Sequence, residues 1–356
     1  MTKFNIARPE VAALHKVATG PQDPDAIRLN ANEAPETHWF ADDEQALNRY
    51  PEARPTVLRA ELAKLYAVSE DNLLVTRGSS EAIDVVIRTF CRAYQDSVVS
   101  MPPTFELYPY FARIQGAESI EVPLHDETFA VDWASILHAC KDDTKVIFFC
   151  SPNNPTGSVV DARDILSVAD ALRGKSVVVV DEAYIEFSEQ ASLTSVATTH
   201  ENLIVLRTLS KAYALAGARC GVAISNREII DIASGVLSPF SFAAPSADCV
   251  LQALAPNRMA AAKQYVEEAI AERDRLSKAL GDFESVEKVW PTDGNFLLLR
   301  VSRQQAILDS LRDRRILIRG YGEHQGLKDC LRITVGTPAE NDALLNALKD
   351  FDTQIG

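Results

Sequence analysis

Four short apolar runs, each followed at once by a polar loop, constrain the fold of this chain most strongly. They are KVIFFC before SPNNPTG (145–157), KSVVVV before DEAYIEF (175–187), NLIVLR before TLSKAYALAG (202–217) and NLLVT before RGSSEAIDVVIRTF (72–90). Continuous β-branched runs separated by helical patterns are typical of parallel strands buried on both faces. Because open sheets of this kind bind ligands beyond the carboxyl ends of their strands, these loops are predicted to form a ligand site.

The pattern changes after about residue 256. The segment NRMAAAKQYVEEAIAERDRLSKAL predicts a long amphipathic helix, since its apolar positions are three and four residues apart. Strand-like VEKVWPTDGNFLLLRV, helix-like QQAILDSLRDR and strand-like ILIRG and DCLRITVG follow it. A chain of 356 residues is long for a single core. We therefore predict an N-terminal arm with part of a small domain (1–45), a large ligand-binding domain (46–250) and a small α/β C-terminal domain (251–356).

The charge balance limits the possible partners. With 50 acidic and 36 basic residues the net charge is −14, which argues against a general binder of nucleic acids or membrane surfaces. An anionic ligand would need a local cluster of Arg, Lys and backbone N–H groups. The six cysteines are scattered without a CxxC pair, so we expect a reducing compartment and no structural metal. The chain shows neither an apolar leader nor a membrane-spanning stretch, and a cytoplasmic protein is expected.

RGSSEAI (77–83) opens a predicted helix with Gly78, Ser79 and Ser80. The first N–H groups of a helix have no intrahelical partner, and together with the helix dipole they favour a bound phosphate. Ser79 would also cap an ordinary helix, and capping is the commoner role. This segment alone is compatible with both.

SPNNPTG (151–157) predicts a rigid loop, because two prolines and a glycine restrict its backbone. It could be only a strong turn, but Asn153 is expected at the ligand edge of the sheet, where a turn has no need of an amide. Asp181 ends the next run, directly after four valines. A carboxylate buried there needs a cation, a hydrogen-bond donor or a proton. It could form a salt bridge, cap a helix, or keep a heterocyclic nitrogen protonated with Tyr184 nearby.

Lys211 lies in TLSKAYALAGARCG (208–221), between an apolar run and a predicted helix. Most such lysines are ordinary surface charges, since short patterns match by chance. An imine-forming amine must lose its proton near pH 7 although the free pKa is about 10.4, and burial beside cations such as Arg219 lowers that pKa. Thr208 and Ser210 add hydroxyls, and the predicted helix adds a second anion-binding N-terminus. A phosphate site, an acid for a ring nitrogen and an amine together indicate pyridoxal 5′-phosphate.

The ordered set of motifs resembles the fold-type I pyridoxal-phosphate aminotransferases, and within them the histidinol-phosphate aminotransferase family. The resemblance covers nearly the whole chain, through LNANEAP (29–35), RYPE (49–52), PPTFELY (102–108), SPNNPTG, DEAY, TLSKAYALAGARCG, WPTDGNFLL and CLRITVGT (330–337). It implies a large domain with a mostly parallel central sheet flanked by helices, plus a smaller α/β domain. It also implies a homodimer that exchanges an amino group between glutamate or 2-oxoglutarate and histidinol phosphate or imidazole-acetol phosphate, in histidine biosynthesis.

The resemblance also implies roles for individual residues. Lys211 matches the Schiff-base lysine, which moves the proton between the substrate α-carbon and the cofactor, and Asp181 matches the partner of the pyridine nitrogen. The remaining cofactor positions are Asn153 and Tyr184 at the phenolic oxygen, Tyr108 stacked on the ring, and Ser79, Ser80, Thr208, Ser210 and Arg219 at the phosphate. The substrate positions are Arg332 for the anionic end, Arg319 as a second arginine, Asn32, and Tyr50, which reaches into the neighbouring subunit's site.

Several alternatives remain open at this stage. An aromatic amino-acid aminotransferase would use the same residues with a different side-chain pocket, and threonine-phosphate decarboxylase shares the scaffold. A regulatory protein with an aminotransferase-like sensor would need an additional DNA-binding segment, for which we expect no room in the chain. An inactive binding homologue is disfavoured because the lysine, the aspartate and the asparagine are all present. The sequence does not identify the residues around the substrate side chain.

Overall fold

A seven-stranded sheet forms the centre of the larger part of the molecule. In the computed structural model, which describes residues 6–14, 27–36, 47–322, 324 and 326–355, its strands are β1 Leu73–Thr76, β2 Ser97–Ser100, β3 Glu118–Glu121, β4 Thr144–Cys150, β5 Val177–Asp181, β6 Leu203–Thr208 and β7 Gly221–Ile224. Their order is β1-β7-β6-β5-β4-β2-β3. Strand β7 is antiparallel to both neighbours, and the other pairings are parallel. The mostly parallel sheet predicted from the apolar runs is therefore confirmed.

Helices cover both faces of this sheet. The helices of the whole described structure, including those beside the smaller sheet, are α1 Pro9–Ala12, α2 Thr56–Leu65, α3 Ser79–Phe90, α4 Leu107–Gln115, α5 Trp133–Ala139, α6 Ala162–Ala171, α7 Thr194–Ala197, α8 Arg227–Val236, α9 Ala244–Ala253, α10 Pro256–Leu280, α11 Gln304–Asp313 and α12 Pro338–Ile355. Alternate residues of a strand point to opposite faces. Phe148 of β4 accordingly packs in the core beneath α3, α4 and α8, while Phe149 packs in the core beneath α5 and α6. None of the helices in the described residues is long and apolar enough to cross a membrane.

A second, smaller sheet follows the long helix α10. Its strands are β8 Val286–Val289, β9 Phe296–Val301, β10 Arg319–Gly320 and β11 Cys330–Thr334, in the order β10-β11-β9-β8 with every pairing antiparallel. Helices α11 and α12 bury their apolar faces on it. The predicted limit between residues 250 and 251 falls inside α9, and the division into domains remains a prediction.

Glu127 joins the large sheet's side of the molecule to the small sheet. Its carboxylate lies 2.7 Å from Nζ of Lys288 and 2.6 Å from Nη1 of Arg300, and its carbonyl accepts a 2.8 Å hydrogen bond from Nε1 of Trp290. Hydrogen bonds from Lys288 and Arg300 lower the pKa of Glu127. The loop just before Glu127 contributes Leu124 to the cavity described below, so this contact fixes the small sheet beside the site.

The segment after Lys211 differs from the prediction. Instead of an α-helix the chain forms turns, with one 3₁₀ turn at Ala216–Ala218. Positive φ angles at Ala214 and Arg219 interrupt any helix. Twelve residues separate the end of β6 from the start of β7, and the chain must reverse within them because the two strands are antiparallel. A second helix N-terminus for an anion is therefore absent from this described segment.

Candidate active site

A cavity of about 760 Å³ lies at the carboxyl ends of β4, β5 and β6, and residues of the small sheet line it as well. The volume lies within the usual range for small-molecule sites, roughly 300–1,000 Å³. Ten of the predicted site residues line it: Ser79, Ser80, Asp181, Tyr184, Thr208, Ser210, Lys211, Arg219, Arg319 and Arg332. The prediction that ligands bind beyond the strand ends agrees with this geometry.

One end of the cavity is built for an anion. Helix α3 begins at Ser79, directly after Gly78, whose φ is +78°. The positive φ favours glycine, and a Cβ atom at Gly78 would lie 2.6 Å from Nη2 of Arg219 and so displace that guanidinium. The guanidinium of Arg219 donates to Ser210 Oγ over 3.4 Å, and Thr208 Oγ1 donates to the same Oγ over 3.0 Å. A helix N-terminus, an arginine and two hydroxyls form a set of phosphate donors.

Asp181 ends β5 in an almost fully buried position, with 2% of its surface exposed. Its Oδ1 accepts a 3.2 Å hydrogen bond from the backbone N–H of Ala183, and its Oδ2 accepts a 3.0 Å hydrogen bond from the hydroxyl of Tyr108. Burial raises the pKa of Asp181 to about 6, although these two donors and Lys211 act in the opposite direction. A protonated ring nitrogen would supply the cationic partner that this buried carboxylate needs.

Lys211 lines the cavity from the turn that follows β6. Its Nζ lies 5.5 Å from the centre of the Tyr184 ring. Burial, followed by the nearby charges of Arg332 and Arg219, lowers the pKa of Lys211, and Asp181 opposes that shift. A lowered pKa increases the fraction of neutral amine near pH 7, which is the form that can attack a carbonyl or accept a proton.

Two arginines of the small sheet lie side by side in the lining of the cavity. Arg319 on β10 and Arg332 on β11 are register partners, so their side chains lie on the same face of the sheet. Both line the cavity. Nη1 of Arg332 donates to Oδ1 of Asn154, and Arg319 lies 3.6 Å from the carboxylate of Glu106. The planar guanidinium forks suit a carboxylate or a phosphate.

The structure does not agree with the prediction for Asn153. The amide of Asn153 is used by protein partners, since it accepts from Thr104 Oγ1 and donates to Pro103 O of another loop and to Thr156 Oγ1 of its own loop, with distances of 2.7, 2.9 and 2.8 Å. Its neighbour Asn154 lines the cavity instead. The motif SPNNPTG locates the loop correctly, but its sequence alone does not tell which of two adjacent asparagines turns toward the ligand.

Tyr108 also differs from its predicted role. Its ring is fully buried and stacks on Phe148, with centroids 4.5 Å apart and planes 9° from parallel, so it cannot offer a face to a ligand in the cavity. Phe105, three residues earlier, lines the cavity and contacts the edge of Tyr108. Helix α4 begins at Leu107, and this start decides which aromatic of PPTFELY reaches the cavity.

Tyr50 and Asn32 lie outside the cavity lining. Tyr50 is half exposed, with its ring centre 5.1 Å from that of Phe240. The buried carboxylate of Glu33 accepts the backbone N–H of Tyr50 and pairs with Arg49, which ties LNANEAP to RYPE. The roles predicted for Tyr50 and Asn32 remain predictions, and that of Tyr50 involves the neighbouring subunit.

Comparison with known proteins identifies the family of this chain. The family model described as aminotransferase class I and II matches residues 16–348. A curated histidinol-phosphate aminotransferase 1 of Haemophilus influenzae is 41% identical over 91% of this chain and 88% of its own length. The crystal structure of a histidinol-phosphate aminotransferase from Sinorhizobium meliloti, in complex with pyridoxal-5′-phosphate, has a TM-score of 0.78 at 25% identity and covers 86% of this chain and 84% of that one. An L-threonine-O-3-phosphate decarboxylase structure from Porphyromonas gingivalis, at 23% identity with a TM-score of 0.73 over 86% of this chain and 91% of its own, shares the fold.

The chain therefore belongs to the class I and II aminotransferases, which are pyridoxal-phosphate enzymes. Within that class, it belongs to the histidinol-phosphate aminotransferase family. The residues present fit the cofactor, because the donor set around Arg219 suits its phosphate, buried Asp181 suits its ring nitrogen and the amine of Lys211 suits its aldehyde.

Proposed function

We propose that this enzyme transfers the amino group of glutamate to imidazole-acetol phosphate, giving 2-oxoglutarate and L-histidinol phosphate, and catalyses the reverse reaction by the same steps. The observation that carries the proposal is the paired arrangement of Arg319 and Arg332, which line the same cavity as Lys211 and Asp181. Two adjacent guanidiniums match the double negative charge of a phosphate. The named relatives support the same substrate.

In this proposal one group of side chains holds the cofactor, and Lys211 moves the proton. Pyridoxal phosphate, when bound, withdraws electrons from the substrate α-carbon and carries the amino group from one substrate to the other. Arg219, Ser210, Thr208 and the N-terminus of α3 hold its phosphate, and Asp181 keeps its ring nitrogen protonated. The neutral amine of Lys211 would take the proton from the substrate α-carbon as a general base and deliver it, as a general acid, to the cofactor carbon that bears the aldehyde.

Asn154, Tyr184 and Phe105 complete the cofactor's surroundings in this proposal. The amide of Asn154 and the hydroxyl of Tyr184, which both line the cavity, would contact the phenolic oxygen, in the role that the family resemblance implied for Asn153 and Tyr184. Burial raises the pKa of Tyr184, so that its hydroxyl keeps its proton and acts as a donor. Phe105, which lines the cavity, would pack on the ring in the role predicted for Tyr108.

The site must recognise two unlike anions in turn. Glutamate presents an α-carboxylate, whereas histidinol phosphate has none and presents a phosphate. Arg332 can pair through its fork with either group. Arg319 is half exposed and pairs with Glu106 at 3.6 Å, so a phosphate can recruit it in exchange for a solvent-screened ion pair that costs little to break.

We further propose that the enzyme works as a homodimer in the cytoplasm. The predicted role of Tyr50 supports the dimer, since a half-exposed tyrosine outside its own chain's cavity is available to a neighbouring subunit. All six cysteines are free, which is usual for proteins of a reducing compartment.

Titration with the two amino donors tests the proposed reaction. When either glutamate or L-histidinol phosphate is added to protein that holds pyridoxal phosphate, we expect the absorbance band of the cofactor's aldehyde form to disappear. The band of its amine form should appear instead. The expectation follows because both donors place an amine beside Lys211 while an arginine holds their anionic end. A response to aromatic amino acids but not to histidinol phosphate would contradict the proposal and favour an aromatic aminotransferase. Release of CO₂ from threonine phosphate would instead identify a decarboxylase.

Arg332→Lys tests the shared anion site. Lysine keeps the charge but loses the bidentate fork, and hydrogen bonds to charged groups contribute about 1.5–3 kcal/mol. We expect kcat/KM to fall roughly 10–100-fold in both half-reactions, each followed by single-turnover absorbance. Arg312→Lys is the control, because Arg312 is 62% exposed and pairs with Asp309 on the surface of α11, outside the cavity. Loss of only one half-reaction in the Arg332 variant would mean that the two anions bind at separate sites.

A further inference from the structure

Tyr108 is a buried residue that contacts the carboxylate of the site from outside the cavity. Its side chain has no exposed surface, and its ring is held against Phe148 of β4 and the edge of Phe105. The hydroxyl ends 3.0 Å from Oδ2 of Asp181 and donates to it. In a wholly apolar core a phenylalanine would pack equally well, so the hydroxyl calls for an explanation beyond packing.

We propose that Tyr108 is a positioning residue for Asp181, which orients that carboxylate and keeps it ionised so that it can hold the protonated ring nitrogen of the cofactor. This inference rests on the proposed function, since it needs a cofactor whose nitrogen contacts Asp181. It differs from ring stacking, because Tyr108 acts through Asp181 and not on the ligand.

The hydrogen bonds of Asp181 account for the orientation. Oδ1 accepts from Ala183 N–H and Oδ2 from Tyr108 O–H, so both oxygens are fixed from the protein side. Asp181 also lines the cavity, where the remaining lone pairs are available to a ligand. A carboxylate held at two points is preorganised for a third partner, and preorganised partners lose less entropy when the ligand binds.

The charges around the pair account for the ionisation. Burial raises the pKa of Asp181, and the Tyr108 hydrogen bond is the leading opposing effect, ahead of Ala183 and Lys211. Burial together with the Asp181 charge raises the pKa of Tyr108 well above its ordinary value, so the phenol stays a donor. Cys150, the other titratable neighbour, ends β4, the strand beside β5, and burial raises its pKa to about 12, which keeps the thiol neutral.

Tyr108→Phe is the direct test, because it removes one oxygen and retains the stacked ring. We expect the dissociation constant of pyridoxal phosphate, measured by fluorescence on apo protein, to rise roughly 10-fold, the effect of losing one hydrogen bond to a charged group. We also expect kcat to fall while KM for glutamate changes little. Tyr94→Phe is the control, since Tyr94 is 93% exposed and does not line the cavity.

A double-mutant cycle with Asp181→Asn separates positioning from packing. If Tyr108 acts through the carboxylate, its replacement by Phe should change cofactor affinity by less than about 2-fold in the Asp181→Asn background, because the interaction is already lost. An equal decrease in both backgrounds, or a wild-type affinity in Tyr108→Phe, would overturn the inference while leaving the proposed function intact. Failure of the wild-type protein to bind pyridoxal phosphate would overturn both.

Discussion

Replacement of Lys211 by methionine should abolish transamination and at the same time leave a folded, heat-stable protein. Methionine has a similar length and volume but no amine, so it can neither join the cofactor nor move the α-proton. Removing a general base costs about 10²–10⁴-fold in rate, and removing a covalent nucleophile costs more. We therefore expect kcat to fall by at least about 10³-fold, in steady-state assays with glutamate and imidazole-acetol phosphate.

The pKa of Lys211 predicts whether Lys211→Met is more or less stable than wild type when both lack the cofactor. The folded state lowers the pKa of Lys211, chiefly through burial and the charge of Arg332, so folding disfavours its charged form. This destabilising effect is complete below the folded-state pKa and fades as the pH rises toward the ordinary value of 10.5. Lys211→Met should therefore unfold at a higher temperature than wild type at pH 7, and the difference should shrink toward pH 10.5.

Thermal melts of apo protein across that pH range provide the measurement. Lys263→Met serves as the control, because Lys263 is 80% exposed and its replacement should change neither activity nor the pH dependence of the melt. Substantial transamination by Lys211→Met would show that another group supplies the amine. A melting difference that grows with pH would show that the charged lysine is stabilised, not penalised, in the fold.

The architecture could be predicted from the sequence because its signals are long and repeated. The apolar runs before SPNNPTG, DEAYIEF and TLSKAYALAG form buried strands of five to seven residues, which end at Cys150, Asp181 and Thr208. The polar residues that follow them must then meet at one edge. That reasoning brings Asp181 and Lys211 together without any knowledge of side-chain conformation.

The errors concern details that only tertiary packing decides. The small residues after Lys211 favour a helix in isolation, yet the antiparallel return into β7 leaves no room for one. Asn153 and Asn154 are adjacent, and their opposite orientations depend on hydrogen bonds to Pro103 and Thr104 from another part of the chain. Local sequence does not encode such distant partners, and the same holds for the pairing of Tyr108 with Asp181.

Asp181→Asn is expected to have the second-largest effect on activity. The amide is nearly isosteric but cannot carry the negative charge that holds a pyridine nitrogen in its protonated form. Loss of one preorganised electrostatic partner at a reacting centre costs about 10²–10³-fold in kcat, and we expect a decrease of that size in both half-reactions. The affinity for pyridoxal phosphate should fall as well, measured by fluorescence titration of the apo protein.

Although Asp181→Asn should lower activity and cofactor affinity, it should raise the stability of the apo protein. Burial raises the folded-state pKa of Asp181 to about 6 from the ordinary 3.8, so the ionised side chain destabilises the fold above pH 6, and the effect disappears below 3.8. Since one pKa unit corresponds to about 1.4 kcal/mol, the cost at pH 8 is on the order of 3 kcal/mol. Asparagine retains an oxygen for one of the two donors and avoids this cost. The variant should then melt above wild type at pH 8, with the difference shrinking as the pH falls from about 6 toward 4.

Addition of pyridoxal phosphate should reduce or reverse this difference in melting temperature between Asp181→Asn and wild type. A ligand that binds only the folded state stabilises it in proportion to the logarithm of its affinity, and wild type binds more tightly because its carboxylate gains a cationic partner. Melts at pH 8 with and without cofactor therefore compare the same two proteins in both situations. If the variant gains as much from the cofactor as wild type does, Asp181 does not contact the ring nitrogen. If it gains less, the burial of this carboxylate is a cost in the empty protein that the bound cofactor offsets.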